Sequence, residues 1–180
     1  MISIKQCIFV SGVHGVGKSY FSNRLKDSIN LPHYSASHLI KTFDKKLFFV
    51  DKKVSDVNSN QEVLVNSIKQ NVREKLFILD GHFTLLKDNE TIEKIPLTTF
   101  KNLNITKVFL LLEHPNVIYN RISTRDGKEL LSTEKISELQ KCEKEHAILV
   151  CNTLQIPLII LENSIAAETY IKRRDPNEPN

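Results

Sequence analysis

Short apolar runs alternate along this chain with longer stretches in which apolar residues recur every third or fourth position. The run Gln6-Cys7-Ile8-Phe9-Val10 is short and apolar, as a buried strand is, and 20–29 carries Phe21, Leu25 and Ile29 at helical spacing. Beyond Leu31-Pro32, His33-Tyr34-Ser35 predicts a short extended piece, and 37–43 a helix capped by Ser35 or Ser37. Val63, Val65, Ile68 and Val72 mark a helix over 60–75. Leu76-Phe77-Ile78-Leu79 is too short for a core helix and is followed by Asp80-Gly81, so it predicts a central strand, and 108–112 predicts another. Pro115 suits the first turn of a helix with Val117, Ile118 and Ile122 on one side. Ser132 or Thr133 caps a long helix to about Leu154, with Ile136, Leu139, Val150 and Leu154 as its buried stripe. After Pro157 the run 158–161 makes a last strand. Continuous apolar strands between helices predict an α/β fold with a parallel sheet covered on both faces.

Composition changes this picture little. A chain of 180 residues fits one domain, here 1–172, with a frayed tail over 173–180 that holds Pro176 and Pro179 and no apolar residue. Hydrophobic residues at 41% and charged ones at 26% are ordinary for a globular protein. No apolar run approaches the roughly 18 residues that span a bilayer, and 1–6 lacks the layout of a signal peptide. Cys7, Cys142 and Cys151 are odd in number and at no metal-like spacing, which points to a reduced, cytoplasmic protein. Cys142 and Cys151 are badly placed to share a helix face with His146, so zinc is not expected. The net charge of +4 is too mild to indicate nucleic acid. Lys172-Arg173-Arg174 leads into the tail. Lys41 to Lys53, mixed with Phe43, Leu47, Phe48 and Phe49, is either a solvated face over an apolar cluster or a phosphate-attracting flank.

The chemistry concentrates between the first predicted strand and the first predicted helix. Gly12-Val13-His14-Gly15-Val16-Gly17-Lys18-Ser19 spells G-x-x-x-x-G-K-S, and Tyr20 follows it. Strand, Gly-rich loop and helix together make the pattern a physical statement about phosphate binding. Glycines let the backbone curl with its N–H groups inward, and the helix presents its positive end to the same anion. Lys18 supplies a cation to the β- and γ-phosphates, and the Ser19 hydroxyl suits a Mg²⁺ ligand. Three further positions stand out. Asp80, at the carboxyl end of an apolar strand, can hold Mg²⁺ directly or through water, or merely start a turn with Gly81. Arg121 and Arg125, four apart on a helix, are either cations for the transferred phosphoryl group or a surface salt-bridge pair. His82 is either a site residue or a packed side chain.

The glycine at 15 gives the loop the form G-x-x-G-x-G-K-[ST], frequent in small kinases that phosphorylate nucleotides and metabolites. In this order the pieces resemble the adenylate-kinase-like P-loop kinases, above all the compact type of archaeal adenylate kinases and related small bacterial ATP-binding proteins. Ser35-Ala36-Ser37-His38-Leu39-Ile40-Lys41 resembles the acceptor-site helix, and Ile78-Leu79-Asp80-Gly81-His82 the acid-bearing strand. Glu113-His114-Pro115 with Arg121 and Arg125-Asp126 is similar to the segment entering the lid. Leu161-Glu162-Asn163 resembles the last strand, whose following loop meets the adenine. The resemblance implies a nucleoside-monophosphate-kinase-like three-layer αβα sandwich with a short lid over 121–131, hinged at Gly127, and an acceptor region over 31–76. It implies ATP on Gly12, Val13, His14, Gly15, Val16, Gly17, Lys18, Ser19, Tyr20 and Asn163, and Mg²⁺ on Ser19 and Asp80. Lys18, Asp80, Arg121 and Arg125 would be catalytic, and Ser37, Lys41 and His82 would meet the acceptor.

Departures from that pattern gather in the acceptor half. Lys41 stands where an arginine would grip the acceptor phosphate, and His38 where the family has an acid. Asp80-Gly81-His82-Phe83-Thr84 replaces the Asp-Gly-Phe-Pro-Arg signature of bacterial adenylate kinases, and the lid has a single arginine pair. The expected activity is transfer of the γ-phosphate of Mg-ATP to a small molecule, a nucleotide or nucleoside, with no membrane partner. An ATPase or switch subunit acting with a protein or nucleic acid, and a polynucleotide 5′-hydroxyl kinase, are compatible with the same residues.

Overall fold

The computed structural model describes residues 5–47, 57–87, 91–126 and 131–173. A five-stranded parallel sheet runs through the middle, built from β1 (Gln6–Ser11), β2 (His33–Ser35), β3 (Leu76–Gly81), β6 (Ile105–Leu111) and β7 (Leu158–Leu161) in the order β2-β3-β1-β6-β7. Helices α1 (Lys18–Ile29), α2 (Ala36–Leu47) and α3 (Val57–Asn71) lie between the early strands. Helices α5 (Pro115–Asp126) and α6 (Thr133–Leu154) join β6 to β7, and α7 (Ser164–Lys172) follows. Between β3 and β6 come an antiparallel hairpin, β4 (Thr84–Lys87) with β5 (Thr91–Lys94), and the short helix α4 (Leu97–Asn102).

The side-chain alternation of strands explains the three layers. Phe9, Phe77, Leu79, Val108 and Leu110 point to one face, where Leu39 of α2, Leu64 and Ile68 of α3, Phe100 of α4 and Val150 of α6 cover them. Their neighbours Val10, Ile78, Phe109 and Leu111 point to the other, under Phe21 and Leu25 of α1, Ile118 and Ile122 of α5 and Ile171 of α7. Strands buried on both faces carry no polar alternation, which is why they read as unbroken apolar runs.

Several expectations shift. Helix α3 occupies Val57–Asn71 instead of 60–75. Asp80 does not start a turn after the strand; it lies within β3, paired with Val10 on one side and Ser35 on the other. Val117 leaves the buried side of α5: it is 36% exposed, while Ile118 and Ile122 are buried. In α6, Leu154 is only partly buried, and Glu143 and His146 occupy the stripe between Leu139 and Val150. Ser132 is the N-cap of that helix and accepts from the Lys135 N–H. The hairpin, α4 and α7 add elements that the apolar pattern did not predict. Residues 48–53 of the basic flank, 127–130 with Gly127, and the tail from Arg174 onward lie outside the described residues.

The cysteines are free thiols, and burial pushes Cys7 up to about 12 and Cys151 up to about 11. Among the described residues no helix is long and apolar enough to cross a membrane, and no His/Cys/Asp/Glu cluster is arranged to hold a metal ion.

Candidate active site

The loop between β1 and α1 is shaped by what crowds it. Gly12 has φ +143°, and a Cβ there would stand 2.6 Å from the Leu111 carbonyl oxygen of β6. Gly15 has φ +81°, and its Cβ would stand 2.6 Å from Ile122 Cγ1 on α5. Only glycine fits both the backbone conformation and the space. The glycine at 15 therefore lets α5 pack directly on the loop. Lys18 closes the curl from inside, its Nζ donating to the Gly12 carbonyl at 2.7 Å and the Val13 carbonyl at 3.1 Å. Burial lowers the Lys18 pKa to about 8, against the opposing pull of the Glu143 and Asp80 carboxylates.

Around this loop the structure gathers most of the residues singled out in the sequence. A cleft of 390 Å³ is bordered by His14, Lys18, Ser19, Ser37, Asp80, His82, Arg121 and Arg125. Arg121 donates through Nη1 to the Val16 carbonyl at 3.0 Å, and through Nη2 to Ser164 Oγ at 2.9 Å and Glu113 Oε2 at 3.3 Å. Burial raises the Glu113 pKa, but bonds from Ser164 and the His114 N–H, with the Arg121 charge, outweigh it and hold the carboxyl below its usual range. This partly exposed ion pair orients the guanidinium more than it stabilises the fold. Arg125 donates to the Nε2 atom of His14. Both arginines of α5 thus lie along the loop-facing side of the helix.

Two further cavities adjoin the cleft. One, of 330 Å³, sits between α1 and α7, is mostly apolar, and shares Gly17, Tyr20 and Arg121 with the cleft. Asn163 and Tyr20 border it, together with Arg24, Ser164 and Glu168, which the sequence reading did not single out. Asn163 caps α7 through its side chain, accepting from the Ala166 N–H at 2.8 Å, and Tyr20 donates to Glu168 at 2.6 Å. The other cavity, of 240 Å³, lies on the opposite side under α2 and α4 and shares Ser37, Asp80 and His82 with the cleft. Lys41 is at its border.

Two residues that the sequence reading missed hold Asp80 and His82 in place. His33 Nε2–H donates to Asp80 Oδ2 at 2.5 Å, while His33 Nδ1 faces Asn23 Oδ1 at 3.3 Å. Parallel pairing of β2 with β3 brings His33 opposite Ile78 and so beside the acid. Glu143, fully buried on α6, accepts from the N–H groups of Phe83 (2.8 Å) and Thr84 (2.7 Å) and from Thr84 Oγ1 (2.6 Å). It thereby fixes the chain just after His82. Burial pushes the Glu143 carboxyl up, against those bonds and the charge of Lys18. Its position was visible in the sequence: Leu139, Glu143 and Val150 follow one helical stripe, so a carboxylate at 143 falls in the buried face. His82 is lowered to about 3 by burial and by the positive charge of Lys18, against a bond to the Gly12 backbone, so it is neutral near pH 7.

Comparison with known proteins agrees with this architecture. A shikimate kinase from Acinetobacter baumannii, solved in complex with shikimate, superposes with a TM-score of 0.61 at 16% identity, over 95% of this chain and 90% of that one. A protein from Eubacterium ventriosum ATCC 27560 aligns over 96% of this chain and 100% of its own, with a TM-score of 0.49 at 16% identity. No curated protein matches the sequence. At this identity the shikimate kinase likeness speaks for the fold: a P-loop, three-layer α/β sandwich with a parallel sheet. The profile of the AAA domain family matches residues 11–140, from the last residue of β1 into α6, and the chain belongs to that family.

Proposed function

We propose that this protein is a phosphotransferase that moves the γ-phosphate of ATP to a small-molecule acceptor in the size class of a nucleotide or nucleoside. The observation that carries this reading is the arrangement of the cavities. The loop cleft is flanked by one cavity on the α7 side and another under α2 and α4. ATP hydrolysis alone needs one such neighbour; transfer needs two. A shikimate kinase with this fold was solved with shikimate bound, which supports a small-molecule acceptor.

ATP would set its base in the α7-side cavity, against Tyr20 and Asn163, and its phosphates on the N–H groups of the loop and the Lys18 cation. Ser19 and Asp80 border the same cleft and are hard oxygen donors, so they fit Mg²⁺ shared with the phosphates. When bound, Mg²⁺ would neutralise charge on the phosphate chain. Arg121 and Arg125 would face the transferred group, where charge spreads over its equatorial oxygens. Neutral His82 can donate or accept a hydrogen bond at the junction with the acceptor cavity.

The arginines separate this reading from a bare ATP-binding module. Contacts made to the group in flight lower turnover when removed, with a smaller effect on ATP binding. Arg121→Ala and Arg125→Ala are each expected to lose roughly a hundredfold in kcat, since one charge-assisted contact in a closed site is worth a few kcal/mol. Normal turnover in both variants would leave a surface pair worth about 1 kcal/mol or less, and would favour the ATPase or switch alternative.

A further inference from the structure

The acceptor cavity has a chemistry of its own. Its walls are apolar: Phe9, Ile40, Leu64, Leu85, Ile95 and Phe100. Its polar groups away from the cleft are mostly neutral, the buried amide of Gln61 and the buried hydroxyl of Thr99. Lys41 is its one cation among the described residues, and Asp80 stands as an anion where it opens on the cleft.

The arginines of the described residues lie elsewhere. They are Arg24, Arg73, Arg121, Arg125 and Arg173. Arg24 borders the α7-side cavity, and Arg121 and Arg125 border the loop cleft. The charge of Arg73 acts on Glu74, and Arg173 follows α7. The segments outside the description between Lys5 and Arg173 contain none. Among the described residues no guanidinium borders the acceptor cavity, and Lys41 alone cannot make a planar, two-point grip on phosphate. At 240 Å³ the cavity is also smaller than the roughly 300–1,000 Å³ of sites for drug-sized ligands.

Resting on the phosphotransferase reading above, we infer that the acceptor is an uncharged ring-bearing alcohol of nucleoside class, not a nucleotide. Its ring packs among Phe9, Leu64 and Phe100, its polar edge meets the Gln61 amide, and its hydroxyl reaches the junction formed by Ser37, Asp80 and His82. A primary amide donates and accepts at once, as does the edge of an uncharged heterocycle. In the reaction the acceptor hydroxyl oxygen bonds to the γ-phosphorus as the bond from that phosphorus to the β–γ bridging oxygen breaks. ADP leaves with the bridging oxygen and its electron pair, and the hydroxyl proton passes to water in the cleft.

The test is a panel of uncharged ring alcohols, nucleosides included, each paired with its own monophosphate at equal concentration and assayed with γ-labelled ATP. The inference expects at least one uncharged compound to accept label with a kcat/KM at least tenfold above that of its monophosphate. Gln61→Leu should then raise KM for that compound about tenfold and leave KM for ATP within about twofold, at an unchanged Tm. Label passing as well or better to the monophosphates, or only to charged compounds, overturns this inference and leaves the phosphotransferase standing. Label appearing only as inorganic phosphate with every compound overturns both.

Discussion

Replacing Glu143 with glutamine keeps the shape of the side chain and removes part of its accepting capacity. The carboxylate takes three short bonds, from the N–H groups of Phe83 and Thr84 and from Thr84 Oγ1, in a place with no exposure to water. A glutamine can turn its oxygen to the two Thr84 donors, but its NH₂ then faces the Phe83 N–H. A buried donor left without a partner costs about 1–3 kcal/mol, and loss of charge assistance at the remaining bonds costs about 1 kcal/mol more. The burial that pushes the carboxyl up means that the charged form is already disfavoured, which trims the sum. Since the trimming is small beside these costs, the net expectation remains a loss of about 2–4 kcal/mol. For a domain of this size, about 2–4 °C per kcal/mol, Tm should fall by roughly 4–16 °C. Because Glu143 holds the chain after His82, turnover should fall as well, while ATP affinity changes less. The assay is thermal unfolding of both proteins, followed by ATP titration and turnover below the lower Tm. A Tm within about 2 °C of wild type would refute the claim that these three bonds fix the segment.

Other consequences follow from the loop and its neighbours. Gly15→Ala puts a Cβ 2.6 Å from Ile122 Cγ1 at φ +81°, so ATP affinity should drop at least about tenfold, with a stability loss of about 1–3 kcal/mol; combined with Ile122→Ala, the two stability losses should add to less than their sum, and additivity in that double-mutant cycle would disprove the clash. Lys18 has a folded pKa of about 8, below its usual 10.5, so between these values the unfolded chain holds a proton that the folded one lacks. Stability of the ligand-free protein should therefore rise with pH across that window. ATP, by favouring charged Lys18, should bind with proton uptake near pH 8.5 and none near pH 6.5, which titration calorimetry in two buffers of different ionisation heat will read. Asp80→Asn should lower turnover strongly and raise the Mg²⁺ concentration needed, and an unchanged Mg²⁺ dependence would remove Asp80 from the metal site.

What the sequence made legible, and what it hid, has a physical pattern. The phosphate loop is contiguous, and its function depends on backbone geometry encoded at adjacent positions, so it could be read directly. Strands β1, β3, β6 and β7 could be read because burial on both faces leaves them unbroken apolar runs. The hairpin could not: Thr91-Ile92-Glu93-Lys94 is four residues long, largely polar, and partly exposed. Helix α4 has six residues, too few to show a period. The His33–Asp80 bond joins positions 47 apart in sequence and depends on the parallel register of β2 and β3. Glu143 reaches Phe83 across 60 positions: the helical stripe puts the carboxylate in the buried face but does not say which backbone it meets there. Val117 was misplaced because three apolar residues near one face of α5 do not reveal which of them the loop will cover; Gly15 makes room for Ile118 and Ile122, and Val117 is left to solvent.

The central claim, transfer of phosphate from ATP to a small molecule in the loop cleft, is tested most directly by following ³¹P signals in a single sample of protein, Mg-ATP and an accepted ring alcohol. The expected result is loss of the γ-phosphate resonance matched one for one by ADP and a new phosphate-ester resonance, with both absent in a folded Lys18→Ala variant. The contradicting result is ADP matched only by inorganic phosphate, at a rate indifferent to any small molecule and raised instead by a protein or a nucleic acid.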